Sequence, residues 1–278
     1  MHLEDEFGDV IAKARLGNGL SAAQIAAIAG LEEPRLAEIE HYRLNPSEDV
    51  VRQLAEALHL DPHKLMESAS GTWTPQERDL CGGAVCVRQI RVPFGPYSEN
   101  AYIAGCQKSR MALIVDPGGA VEDITRLLHR EKLTPELILI THPHADHIGG
   151  LHELMGCFPN VTVVGAATDH AAIMHGMDGR WQEAQDEAEF VMGRITVKAM
   201  STPGHTPGAI CYALSGACFV GDSLFAGSIG RPESSLVYAK MLSSIRDKVL
   251  SLPRDTILLP GHGPATTVAE ELDHNPFF

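Results

Sequence analysis

Apolar residues fall into two textures along the chain. From Met1 to about Ser70, Ala, Leu and Ile recur at helical spacing, as on a helix with one buried face. Ser21 is placed to cap a helix through Ala29, with Gly30 at its end and Pro34 opening the next. Asn45-Pro46-Ser47 breaks the pattern, and Ser47 can cap a helix to about Leu58. Four or five short helices are expected. Ser68 to Gly83 is polar, with Gly71, Pro75 and the Gly82-Gly83 pair, and reads as a linker. Apolar residues then come in short runs: Arg88 to Phe94, Ala101 to Ala104 and Met111 to Val115 read as a meander, ended by the turn Asp116-Pro117-Gly118-Gly119. Val121 to Arg130 is amphipathic and reads as a helix, as does a late stretch from about Val237 to Leu250. The pattern predicts an α/β fold, a two-sheet core with helices outside, behind a small all-α domain. The expected boundaries are residues 1–70, a linker at 71–84, and a catalytic domain at 85–278.

The chemistry collects where apolar runs end. Leu137 to Ile140 has the length and branching of a buried strand, and Pro143 prevents a regular strand from continuing. His142, His144, Asp146 and His147 are thus placed on a loop at the strand's end. Imidazoles and a carboxylate are what a divalent metal such as zinc takes as ligands. Three later runs each deliver one more such residue: Val197 to Met200 leads to His205, Cys218 to Val220 to Asp222, and Ile257 to Leu259 to His262. Layered α/β folds gather sites at the carboxyl ends of strands, where loops converge without disturbing the core. Crowded surface histidines would not repeat this placement.

With these residues in view, the segment from His142 to His147, followed by His205, Asp222 and His262, resembles the metallo-β-lactamase fold superfamily. Pro203-Gly204-His205-Thr206-Pro207-Gly208, Gly221-Asp222-Ser223-Leu224-Phe225 and Leu259-Pro260-Gly261-His262-Gly263-Pro264 are similar to its glyoxalase II-like branch, over roughly Val87 to Phe278. The resemblance implies an αββα sandwich with metals in a cleft at one edge. It implies His142, His144 and His205 on one ion, Asp146, His147 and His262 on the other, and Asp222 bridging. Two ions about 3.5–4 Å apart can hold a hydroxide at neutral pH. The implied activity is a thioesterase cleaving an S-acyl thiol by attack of that hydroxide, with two divalent ions, zinc foremost and iron or manganese as alternatives. The alternative that travels with it is a persulfide dioxygenase with a single Fe(II) at positions matching His142, His205 and Asp222, a facial triad.

Two departures bear on substrate. Gly230-Arg231 is followed by Pro232-Glu233-Ser234 where both branches commonly show Thr-Asp-Phe, and the chain ends at Phe278 without the helical glutathione-binding extension. The expected substrate is therefore an acyl-thiol or other thiol-derived small molecule, with glutathione itself in question. Arg231 is a candidate for meeting a substrate carboxylate. Tyr97 and Asn100, read as lying in the loop before the second strand, are candidates for the cleft entrance. His152, His170 and His175 fall outside the matching positions and read as surface residues.

The N-terminal helices resemble the helix-turn-helix domain of repressor and Cro-like regulators, with Ser21 to Ala29 the first helix of the motif and Pro34 to His41 the recognition helix. Met1 to Ser70 holds six basic residues against thirteen acidic ones, a net of −7, and Glu38 and Glu40 stand beside Arg35. Phosphates would meet that helix badly. DNA binding, and with it a metal- or thiol-responsive regulator, is disfavoured, and homodimerisation or partner docking is the expected role. The whole chain's charge of −14 disfavours nucleic acid and membrane surfaces as partners too. An acidic start and no long apolar run point to a cytoplasmic protein. The six cysteines lack Cys-x-x-Cys spacing and read as reduced, Cys81 and Cys86 being the one pair placed to bridge.

Overall fold

The computed structural model describes residues 2–81, 85–177 and 179–278. The Gly82-Gly83 pair expected in the linker lies outside the described residues.

Five helices come first: α1 (Phe7–Gly17), α2 (Ala22–Ile28), α3 (Glu33–Glu40), α4 (Glu48–Leu58) and α5 (Pro62–Ser70). Ser21 caps α2 in a capping box with Gln24, and Gly30, at φ 64°, follows the helix in the left-handed region that favours glycine. Pro34 sits in the first turn of α3, and Asp61 caps α5 by accepting from the amides of His63 and Lys64. Leu36, Ile39, Val51 and Leu54 meet Ile11 and Ile25 inside the bundle.

The first sheet runs in sequence order through β1 (Val85–Phe94), β2 (Tyr97–Cys106), β3 (Met111–Val115), β4 (Thr134–Leu139), β5 (Thr162–Gly165) and β6 (Arg180–Glu183). The first three strands are antiparallel, and β3 to β6 are parallel. Between them lie α6 (Val121–Glu131), α7 (Ala145–Ile148), α8 (Leu151–Cys157) and α9 (His170–Ile173). The second sheet begins antiparallel with β7 (Glu189–Met192), β8 (Ile195–Ser201), β9 (Ile210–Leu214) and β10 (Ala217–Gly221). A small hairpin follows, β11 (Leu224–Phe225) with β12 (Ser228–Ile229), and then α10 (Ser235–Ser244), which widens into a π-helical turn at Ile245–Val249. The sheet is completed by β13 (Ile257–Pro260), parallel to β10, and β14 (Thr266–Thr267), before α11 (Val268–His274).

Side-chain alternation builds the layers. On β4, Leu139 faces the second sheet while Ile138 packs under α6 and α8 with Ile124, Leu128, Leu151 and Leu154. On β10, Phe219 points between the sheets, whereas Cys218 and Val220 point outward to Tyr238, Met241 and Ile245. The outcome is the αββα sandwich expected from the sequence. The outer core of the second sheet is continuous with that of the N-terminal bundle, so the five helices dock on the sandwich rather than hang from it. Residues after α5 are pinned too: Trp73 stacks on His274 at 4.8 Å, and Arg78 pairs with Glu270 at 2.8 Å.

The cysteine expectation is corrected at one pair. Cys81 and Cys86 form a disulfide, their Cα atoms 4.0 Å apart. Val87 donates its amide to Leu80 at 2.9 Å, so two cysteines five apart meet without any Cys-x-x-Cys motif. The other four are free, and Cys106, Cys211 and Cys218 are buried, as small core residues are. No helix among the described residues is long and apolar enough to cross a membrane.

Candidate metal centre

Seven side chains from four loops converge at one edge of the sandwich. His142, His144, Asp146 and His147 follow β4; His205 follows β8, Asp222 follows β10, and His262 follows β13. Ligand atoms of His142, His144, His205 and Asp222 lie within 4.8 Å of one another, and so do those of Asp146, His147 and His262. One Asp222 oxygen stands 3.5 Å from His205 Nε2, 3.7 Å from His262 Nε2 and 4.0 Å from His142 Nε2, and the other is 3.5 Å from His147 Nε2. Asp222 therefore reaches both sets.

Hydrogen bonds on the far side of the rings fix which nitrogen faces inward. Thr141 donates its only hydroxyl hydrogen to Asp116 Oδ2 at 2.6 Å, so the Thr141 Oγ1 itself accepts from His142 Nδ1 at 3.0 Å. His147 Nδ1 donates to Asp116 Oδ2 at 3.0 Å, His205 Nδ1 to the Arg231 carbonyl at 2.9 Å, and His262 Nδ1 to the Ser98 carbonyl at 2.9 Å. Since carboxylates and carbonyls only accept, these four rings carry a proton at Nδ1 and turn Nε2 toward the cluster. His144 is turned the other way, with Nδ1 3.0 Å from His142 Nε2 and 3.1 Å from His205 Nε2.

The loops approach so closely that glycine is required. A Cβ on Gly118 would lie 1.4 Å from the Asp146 carbonyl, and one on Gly230 would lie 1.6 Å from the Asp222 carbonyl. Gly149 and Gly150 rest on the carbonyls of Gly118 and Pro117 in the same way. Thr202 and Ser223, with hydroxyls 2.8 Å apart, tie the His205 loop to the Asp222 loop.

The electrostatics call for a cation. Burial, helped by the Asp116, Asp146 and Asp222 carboxylates, pushes buried Glu99 up to about 11 and keeps it neutral. Burial drags His142 well below the ordinary imidazole range, and it lowers His205 as well. The His262 hydrogen bond holds Asp146 down at about 2; burial opposes the charge on His262, yet Asp146 lifts it to about 9. The Nε2 of His147 and one Asp222 oxygen are buried with no hydrogen-bond partner, and both face the cluster. Orphaned ligand atoms of this kind, beside neutral His142 and His205 and the ionised Asp146, fit a divalent metal, which would take the place of the proton that His262 otherwise holds.

Three weaker sequence candidates fare differently. Asn100 and Tyr97 belong to β2, not to a loop before it. Asn100 is buried and donates to the carbonyls of Pro260 at 3.1 Å and Gly263 at 2.8 Å, so it holds the His262 loop instead of lining an entrance. Tyr97 is 67% exposed at the hairpin tip. Arg231 meets His205 through its carbonyl, leaving its side chain exposed. His152, His170 and His175 are on the surface, as expected. Sequence reasoning missed Asp116, Thr141 and Glu99. Asp116-Pro117-Gly118-Gly119 was legible only as a turn, although its first residue orients two site elements.

Comparison with known proteins identifies the family. Residues 94–262 match the metallo-beta-lactamase superfamily model, and residues 6–67 match a helix-turn-helix domain model. The chain is 35% identical over 205 residues to the probable metallo-hydrolase YqgX of Bacillus subtilis, covering 67% of this chain and 95% of YqgX. It is 29% identical to the hydroxyacylglutathione hydrolase GloC of Haemophilus influenzae, covering 67% of this chain and 95% of GloC. Among solved structures, TTHA1623 in a di-iron-bound form superposes with a TM-score of 0.57 at 28% identity, covering 68% of this chain and 100% of that one. The chain belongs to the metallo-beta-lactamase superfamily as a metal-dependent hydrolase, with a helix-turn-helix domain in front.

Proposed function

We propose that the chain is a thioesterase of the glyoxalase II type that cleaves an S-acyl thiol at a two-ion centre. The observation that carries this reading is Asp222, placed between two ligand sets, His142, His144 and His205 on one side and Asp146, His147 and His262 on the other. Bound divalent ions supply Lewis acidity and lower the pKa of water toward neutrality. The protein's own part is to aim the imidazole Nε2 atoms at the cluster and to keep the ligand loops in register through Asp116, Thr141 and Asn100. The likeness to GloC, a hydroxyacylglutathione hydrolase, supports a thiol-derived substrate, and TTHA1623 in its di-iron-bound form supports two ions. Thiol release from a panel of acyl-thiols tests it: hydrolysis should vanish with a chelator and return with zinc, iron or manganese. No hydrolysis of any acyl-thiol by the metal-loaded chain would overturn it.

For the N-terminal helices we infer docking rather than operator binding. The exposed side of α3 carries Glu33 and Glu38 with Arg35, and Glu40 is taken by Arg15 at 2.7 Å. Meanwhile α1 packs on α10. A gel shift at low salt is the test, and a sequence-specific complex would contradict the inference.

A further inference from the structure

The segment ahead of α1 reaches the metal centre. A Cβ on Gly263, the residue after His262, would lie 2.9 Å from Glu4 Cβ and 3.1 Å from the Glu4 nitrogen. Next in the chain, buried Asp5 pairs with Lys13. The Lys13 ammonium donates to the Ile229 carbonyl at 2.8 Å and stands 4.7 Å over the Phe225 ring, which meets the His262 ring edge-on at 6.0 Å. The lead of the helix-turn-helix domain is thereby fastened to both loops that deliver Asp222 and His262.

Glu4 is only partly exposed. Burial raises its carboxyl, His262 and Lys13 pull it down, and Asp5 and Asp222 add to the rise. It lies far ahead of the superfamily match at residues 94–262. YqgX and GloC are matched along 95% of their own lengths while about a third of this chain is left over. Glu4 is thus an addition beside the His262 loop of a shared fold.

We propose that Glu4 is a specificity-determining residue, forming the wall of the cleft beside His262 and favouring thiol substrates that carry an ammonium group there over those that carry a carboxylate. The proposal rests on the reading of the cleft as a thiol site. A substrate carboxylate beside Glu4 would face like charge in a partly desolvated place, whereas an ammonium group would be paired.

The test uses the full, metal-loaded chain and three small thiols of similar size: cysteamine, 2-mercaptoethanol and mercaptoacetate. Their dissociation constants are measured by calorimetry for the native chain and for Glu4→Gln, with metal content checked in both. Comparing ratios cancels intrinsic differences among the thiols. The cysteamine-to-mercaptoacetate affinity ratio should fall about tenfold in Glu4→Gln, with 2-mercaptoethanol and metal content little changed. A ratio shifted less than about twofold, or loss of metal, would overturn the proposal. Acyl-thiol hydrolysis with an unshifted ratio sinks the role of Glu4 alone. A shifted ratio without any hydrolysis sinks the thioesterase reading alone, and no binding of any thiol sinks both.

Discussion

His147 Nδ1 donates to Asp116 Oδ2 at 3.0 Å, and both residues are buried. The same oxygen accepts from Thr141, which orients His142, so one carboxylate sets two imidazoles of the centre. Asp116→Asn puts an amide where only acceptors belong. Metal affinity should fall by about 10- to 100-fold, the usual cost of losing such a partner, with the fold retained. Competition against a chromogenic chelator measures this, and unchanged affinity would contradict the assigned role.

Gly118→Ala tests the close approach of the turn to the Asp146 loop. The added methyl would lie 1.4 Å from a backbone carbonyl, which no side-chain adjustment relieves. The variant should lose metal from the Asp146, His147 and His262 set and should unfold at lower urea than the native chain. Native metal content would show that the loop has room the structure does not give it.

Glu271 provides a pH dependence away from the centre. Burial pushes this carboxyl up to about 7, although Asn275, Thr266 and the Gly227 amide all donate to it. Between the ordinary value of 4.5 and about 7, the folded state holds a proton that the unfolded state has lost. Stability contributed by this group is complete below about pH 4.5 and is lost as the pH rises through about 7. Melting curves across pH 4.5–8 should show that decline, and Glu271→Gln should flatten it. Equal slopes in the two proteins would rule the assignment out.

Docking of the helical bundle hinges on Gly17. A Cβ there would come within 2.5–2.7 Å of the Tyr238 ring on α10. Gly17→Ala should cost about 1–3 kcal/mol in urea unfolding and quicken proteolysis near residue 75, and Tyr238→Leu should restore part of the loss. If stability holds, the bundle and sandwich do not share a core.

Much of this was legible in the sequence because strand periodicity and ligand residues coincide. The run Leu137 to Ile140 followed by Pro143 announced a strand that stops where histidines start, and the repetition at His205, Asp222 and His262 placed four loops at one edge. Ser21, Gly30 and Pro34 mark helix ends by local chemistry alone, so the helices were readable too. Contacts distant in sequence were not. Asp116 and His147 are 31 residues apart, and a turn signal hid the carboxylate's second duty. Asn100 reads as turn chemistry until the Pro260 and Gly263 carbonyls, more than 150 residues on, are seen to need its amide. Nothing local to Glu4 hints that Gly263 lies against it.

The most direct test of the central claim is metal identity and stoichiometry on chain purified without oxygen or chelators, for the native protein and His262→Ala. The account predicts close to two divalent ions per native chain and about one in the variant, with acyl-thiol hydrolysis lost alongside the second ion. A single tightly bound ferrous ion in both proteins, with oxygen consumed in the presence of a persulfide, would contradict it.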